Sequence, residues 1–249
     1  PKEKISKQLG DGELLSKLIK KTVIYDFRQT DLRNGGEGAP LTPVFHQLLI
    51  NQNKIKKPII IINLGGIANY TYVGESDRNF FLHSADIGPG NCLIDQWVKK
   101  KSKQKYDKNG SIAESGKVNT EILNKALENW KNYYFKKKRS YDVKDFDLAF
   151  VNELTLEDGA ATLTEYTSII ISTFINTISN VKNVVVSGGG RKNNILFKKI
   201  SKKLKYSFQS IDDLGMDGDY IESQAFAYLA IRSILKLPIS FPETTGVNA

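Results

Sequence analysis

Four consecutive isoleucines, Ile59-Ile60-Ile61-Ile62, constrain the fold of this chain more than any other feature. A β-branched run with no polar alternation predicts a strand apolar on both faces, which must be covered on both sides. Gly65-Gly66 follows at once, and residues 70–73 and 79–85 read as two further strands. With turn signals at Gly65-Gly66 and at residues 74–77, the expectation is a three-strand meander. Helix and strand alternate after it. Residues 91–101 and 119–129 read as helices. The longest helix is expected over 160–179, where Leu163, Tyr166, Ile170, Phe174 and Ile178 recur every three or four positions. A strand at 183–186 breaks at Gly188-Gly189-Gly190, and a helix begins near Asn193. A strand at 206–211 and a helix at 220–235 close the pattern, which is α/β. Ahead of the isoleucines, residues 22–25 read as a strand, 33–40 as a Gly-rich loop and 43–50 as a helix. Residues 54–57 with Pro58 read as a hinge between two units.

The 249 residues suffice for one large or two modest domains. One cysteine, Cys92, rules out an internal disulfide and fits a reducing compartment. No run of about 18 apolar residues is present, so no membrane helix is expected. The opening PKEKISKQLGDGELL has no signal-peptide apolar core, which points to the cytoplasm. The chain begins with Pro1 rather than Met and reads as part of something longer. Its 36 basic and 27 acidic residues leave a net charge of +9. Nucleic acid would be one partner for that excess, but no aromatic-interleaved ribonucleoprotein motif or zinc pattern accompanies the lysine clusters. Those clusters, at 99–101, 136–139 and 198–205, fit solvated helix faces and loops better.

Three segments could carry chemistry. In His83-Ser84-Ala85-Asp86-Ile87-Gly88-Pro89-Gly90-Asn91-Cys92, Asp86 is expected to end a strand and face the amides of the following helix. It is either a cap or a catalytic base. It lies several residues early for an N-cap, and Asn91 is better placed for that role, which favours the base. Gly65-Gly66 is either a hairpin turn needing positive φ or a close approach to a phosphate. Gly188-Gly189-Gly190 passes from strand to helix, as a nucleotide turn would, or is a structural turn. Its glycines are not spaced as in the dinucleotide fingerprint, and no Gly-Lys-Ser/Thr follows as in a P-loop. Elsewhere the structural reading suffices. Glu222 is a first-turn helix acid, and Asp26, Arg28 and Asp31 form a local ion-pair cluster. His46 reads as a core-edge residue. Cys92 sits where a helix can lower a thiol pKa, but it has no histidine partner nearby and reads as packing.

Taken together and in this order, DFRQTDLRNGGEGAPLTPVFHQLL (26–49), NLGGIANYTYV (63–73), DIGPGNCLIDQW (86–97), SGGGRKNN (187–194) and GMDGDYIESQAFAYLA (215–230) resemble the anhydro-N-acetylmuramic acid kinases. The resemblance implies a ribonuclease-H-like fold of the actin, Hsp70 and sugar-kinase superfamily, a mixed sheet flanked by helices. Residues 1–57 would be the remnant of an N-terminal lobe and 58–249 a C-terminal actin-like ATPase lobe. It implies use of ATP with Mg2+ to turn 1,6-anhydro-N-acetylmuramic acid and water into N-acetylmuramic acid 6-phosphate during murein recycling. It assigns Asp86 as catalytic base and Gly65 and Gly66 to the transferred phosphate. Gly188, Gly189, Gly190 and Asn193 fall to the nucleotide, and Asp26, Arg28 and Glu222 to the sugar. No metal ligands are assigned. The partner implied is a small amino sugar, with neither nucleic acid nor membrane, and a homodimer is compatible with it. Ile87 stands where the family usually has Thr, and Glu37 where Gln is common. The family's N-terminal strand and first phosphate loop, of Gly-Thr-Ser-x-Asp-Gly type, have no counterpart here. The alternative reading is therefore a catalytically incomplete or ligand-binding module of the same fold.

Overall fold

The structure, a computed structural model, describes residues 6, 9–74, 82–133 and 140–247. In chain order its main elements are α1 (Gly12–Ile19), α2 (Gln29–Arg33), α3 (Pro43–Gln52), β1 (Ile59–Leu64), β2 (Ile67–Val73), β3 (Leu82–Pro89) and α4 (Cys92–Lys101). Then come α5 (Ser111–Ser115), α6 (Thr120–Tyr133), α7 (Leu156–Thr177), β4 (Asn183–Ser187), α8 (Asn194–Lys203), β5 (Ser207–Ser210), α9 (Ile221–Ile234) and α10 (Pro242–Thr245). The five strands form one mixed sheet in the order β3-β2-β1-β4-β5. β1, β2 and β3 make the expected antiparallel meander, and β4 and β5 extend it in parallel. This is the mixed α/β sheet with flanking helices that the sequence implied.

The isoleucine run explains the layering. Side chains alternate across a strand, so Ile60 and Ile62 join one core with Leu64, Trp97, Leu163, Ile171 and Val186. Ile59 and Ile61 join the opposite core with Phe45, Leu49, Ile50, Val185 and Ala225. All four are at most 2% exposed, and each contributes roughly 1.5–3 kcal/mol by burial. Helices α4 and α7 cover the first face, and α3 and α9 the second. Helix α7 is started by Thr155, whose hydroxyl accepts from the Asp158 amide at 3.1 Å. It packs close to α4 because Gly159 has no side chain; a Cβ there would lie 2.3 Å from the Trp97 ring.

Two expectations about elements fail. Residues 22–25 form no strand: a β-branched run becomes a strand only against a pairing edge, and this one has no partner in the sheet. Nor does β3 end at Asp86. It continues to Pro89 because Ile67, on the strand leaving the Gly65-Gly66 turn, still pairs with Pro89. The start of the expected 79–85 strand, most of the 74–77 turn and the 136–139 lysine cluster lie outside the described residues.

Candidate active site

The sheet register assembles a polar row. Asp86 pairs with Asn69, Asn69 with Asn63, and Asn63 with Ser187. The row crosses β3, β2, β1 and β4, near the carboxyl ends of β1, β3 and β4. At the ordinary strand spacing it spans roughly 14 Å. β1 is also where the sheet changes from antiparallel to parallel pairing. A bulge between Ala68 and Asn69 lies at one corner of the row. Such bulges re-aim side chains.

Asp86 makes no hydrogen bond to the start of α4 among the described residues. The amides entering the helix turn to the glycine pair: Gly90 and Cys92 donate to the Gly66 carbonyl at 2.9 and 3.1 Å, and Asn91 to Gly65 at 2.8 Å. Asn91 occupies the N-cap position, but its side chain makes no capping bond. It donates instead to the Leu64 carbonyl at 3.2 Å. The Asp86 carboxylate accepts from the Tyr141 amide at 2.7 Å and from the Ser140 hydroxyl. Burial pushes its pKa up to about 6, and the nearby Glu37 charge adds to the rise. The bonds from Tyr141 and Ser140 and the Arg28 charge only partly offset this.

The two glycine turns differ in what they require. Gly188 has φ +80°, and a Cβ there would lie 2.4 Å from Asn63 Oδ1. One on Gly190 would lie 2.5 Å from the Leu64 side chain. Those two glycines are needed to seat the turn against the end of β1. Gly65, Gly66 and Gly189 are different. None has positive φ. A Cβ would meet nothing closer than 3.5 Å at Gly65 and 3.9 Å at Gly66, and nothing within 4 Å at Gly189. The protein's own packing does not demand glycine at these three positions; the close approach of a ligand would.

Two cavities meet at Gly189. One, of about 500 Å³, is lined by Gly189, Gly190, Asn193, Asp95, Tyr106 and four lysines, Lys99, Lys105, Lys108 and Lys192. The other, of about 150 Å³, is lined by Gly188, Gly189, Asn63, His46, Arg191 and Glu222. Asn193 is split between two tasks: it lines the larger cavity, while its Oδ1 caps α8 by accepting from the Leu196 amide at 3.0 Å. His46 is deeply buried, its Nδ1 lying 2.8 Å from the Thr71 hydroxyl. Burial lowers its pKa to about 4, so it presents a neutral imidazole. Cys92 is buried, and burial raises its thiol to about 11; it acts as packing.

The three expected sugar contacts are separated. Glu222, exposed at the start of α9, faces the smaller cavity beside Gly188. Arg28 falls within electrostatic reach of Asp86, and its Nε is buried without a hydrogen-bond partner. Asp26 instead lines a third cavity, of about 550 Å³, with Asp31 and Asn34. The expected ion-pair cluster is absent among the described residues. Asp31 accepts from the Gly38 amide at 2.7 Å and the Thr245 hydroxyl at 2.6 Å instead. Sequence reasoning did not single out Asn63, Asn69 and Ser187 of the polar row, and its reading of His46 as a packed residue agrees with the burial. Of that row, only Asn63 and Asn69 carried a signal, as polar residues flanking Gly65-Gly66.

The model of the family described as anhydro-N-acetylmuramic acid kinase matches residues 1–249. The chain belongs to the anhydro-N-acetylmuramic acid kinase family. It is 54% identical to the anhydro-N-acetylmuramic acid kinase of Pelagibacter ubique, over 99% of this chain and 67% of that protein. It is 40% identical to that of Zymomonas mobilis, over 96% of this chain and 65% of that protein. The chain thus spans about two thirds of the length of these relatives. A solved gluconate kinase from Lactobacillus acidophilus is similar at 13% identity and a TM-score of 0.46, over 79% of this chain and 41% of that one. Among the described residues no group of three His, Cys, Asp or Glu side chains is placed to hold a metal ion. No helix there is long and apolar enough to cross a membrane.

Proposed function

We propose that this chain carries the base and the nucleotide turn of an enzyme that phosphorylates 1,6-anhydro-N-acetylmuramic acid with ATP, opening the anhydro bridge to give N-acetylmuramic acid 6-phosphate for murein recycling in the cytoplasm. Asp86 supports this reading most. It is a half-buried carboxylate, held by the Tyr141 amide and the Ser140 hydroxyl. With a pKa of about 6 it is ionised at neutral pH and still basic enough to accept a proton. Asp86 takes a proton from water as the oxygen attacks the anomeric carbon. The anomeric carbon's bond to O6 breaks, and O6 accepts the γ-phosphoryl group. ATP would supply that group, and Mg2+ accompanying it would, together with Lys99, Lys105, Lys108 and Lys192, offset the charge on its phosphates.

Gly65, Gly66 and Gly189 let phosphate oxygens approach the backbone. Lys99, Lys105, Lys108 and Lys192 offset charge beside Gly190 and Asn193, while Gly188 holds the turn in shape. Arg28, with its unmatched Nε, and Glu222 are the sugar contacts this reading keeps; Asp26, which lines the third cavity, is not joined to them. Residues 1–57 are read as part of an N-terminal lobe, and 58–249 as the ATPase lobe. The two are in contact, because α3 shares a core with β1 and α9. In the full-length enzyme, Asp86→Asn is expected to lower kcat about 100-fold or more while calorimetry still detects sugar and ATP-Mg2+. Turnover within a few-fold of wild type would end the general-base role. Sugar binding without nucleotide binding in the wild type would identify a ligand-binding module instead.

A further inference from the structure

Arg191 is 4% exposed, beside the glycine turn, and although it lines the smaller cavity its guanidinium is spent on its own protein. Nε donates to Asp212 Oδ2 at 2.6 Å, Nη2 to Asp219 Oδ1 at 2.8 Å and to Asp212 Oδ1 at 3.3 Å, and Nη1 to the Gly188 carbonyl at 3.1 Å. Asp212 in turn accepts from the Gly218 amide at 2.8 Å and the Ser210 hydroxyl at 2.8 Å. Asp219 also accepts from Lys192 at 2.6 Å, and Lys192 lines the larger cavity. A Cβ on Gly218 would lie 2.3 Å from Arg191 Nε, so the loop before α9 lies flat on the guanidinium. The pair with Arg191 is the largest of the influences that hold Asp212 at about 2. The cluster therefore stays charged throughout the working pH range.

We propose that Arg191 is a positioning residue: its planar fork ties the Gly188 carbonyl to Asp212 and Asp219, fixing the Gly188-Gly189-Gly190 turn in the shape that receives the nucleotide. This rests on the nucleotide reading of that turn. A lysine keeps the charge but offers one point donor rather than a fork. It cannot hold Gly188 and two carboxylates at once.

The test uses Arg191→Lys and Asp212→Asn in the full-length enzyme, with KM and kcat for both substrates, calorimetry with ATP-Mg2+, and circular dichroism. Arg191→Lys is expected to raise the nucleotide KM at least about tenfold, with the sugar KM and saturated kcat changed far less. Asp212→Asn should do the same, and the double variant should be no worse than the weaker single, as for two halves of one interaction. An unchanged nucleotide KM in folded Arg191→Lys would overturn the proposal. So would equal losses in both KM values that track a lower Tm, since a merely structural ion pair behaves that way. Should Arg191→Lys fail to fold, Asp212→Asn and the outer-carboxylate variant Asp219→Asn decide: a raised nucleotide KM supports positioning, and an unchanged one in both rejects it. A wild-type enzyme without affinity for ATP-Mg2+ would instead overturn the nucleotide reading of the turn, a failure separate from one confined to the variants.

Discussion

A carboxylate that takes a proton from water at neutral pH serves best when its pKa lies close below the working pH. Burial brings Asp86 there, to about 6. Two consequences follow at this one residue. The acid limb of kcat should fall tenfold per pH unit below roughly pH 6, as the base protonates; a pH–rate profile flat down to pH 5 would contradict it. The folded pKa also exceeds the unfolded one, so the native state holds the proton more tightly. Stability attached to Asp86 is present at low pH and is lost as pH rises through about 6. Asp86→Asn should then keep or raise Tm at pH 7.5 while removing activity, and calorimetric melting that shows a clear fall would refute this. His46 works the other way. Its folded pKa, about 4, lies below the unfolded value, so its contribution is present near pH 7 and is lost on acidification. By pH 5 it should cost roughly 2 kcal/mol. Denaturant unfolding of wild type and His46→Gln at pH 7 and 5 measures this, and an identical pH slope in the two would exclude it. None of these shifts was legible in the sequence, because each is caused by burial, which local residues do not encode.

Among the elements, the β3–α4 junction has little room. A Cβ on Gly90 would lie 2.3 Å from the Gly65 carbonyl oxygen and 3.1 Å from the Ala68 amide nitrogen. Gly90→Ala must therefore push the first turn of α4 away from Gly65-Gly66, at a cost of about 1–3 kcal/mol. The Gly65-Gly66 turn, which the proposed function sets against the transferred phosphate, moves with it. The expected outcome is a lower midpoint in urea together with reduced turnover; wild-type values for both would show that the junction yields freely. The same junction shows how element boundaries escape sequence reading. β3 runs three residues past Asp86 because a neighbouring strand offers hydrogen bonds, not because Ile87, Gly88 and Pro89 favour strand. Residues 22–25 have strand composition and no neighbour, and so form none. Asn91 was legible as a cap by type and position. The Leu64 carbonyl, brought near by the β1–β2 hairpin, claims its side chain instead.

Across the whole molecule, part of the excess of nine positive charges is gathered in one place. Lys99, Lys105, Lys108 and Lys192 come from three separate segments and meet around one cavity. Exposed ammonium groups are screened as the Debye length shrinks from about 10 Å at 0.1 M salt to about 3 Å at 1 M. The affinity for ATP-Mg2+ should accordingly weaken several-fold over that range, and less so in Lys105→Gln/Lys108→Gln. Calorimetry that finds a salt-independent affinity would remove these lysines from phosphate binding. The sequence by itself determined the layers and the turns: four isoleucines demand cover on two faces, and Gly-Gly and Gly-Gly-Gly after strands mark where backbone can meet a ligand. It also put Asp86, Gly65, Gly66 and Gly189 forward as candidates, since residue type and spacing are local properties. The tertiary structure alone decided that Asp86, Asn69, Asn63 and Ser187 stand in one row. It also bound the amides of Gly90, Asn91 and Cys92 to Gly65 and Gly66, and parted Asp26 from Glu222. These facts depend on strand register and burial, which arise only when segments far apart in the chain compete for the same hydrogen bonds and the same apolar space.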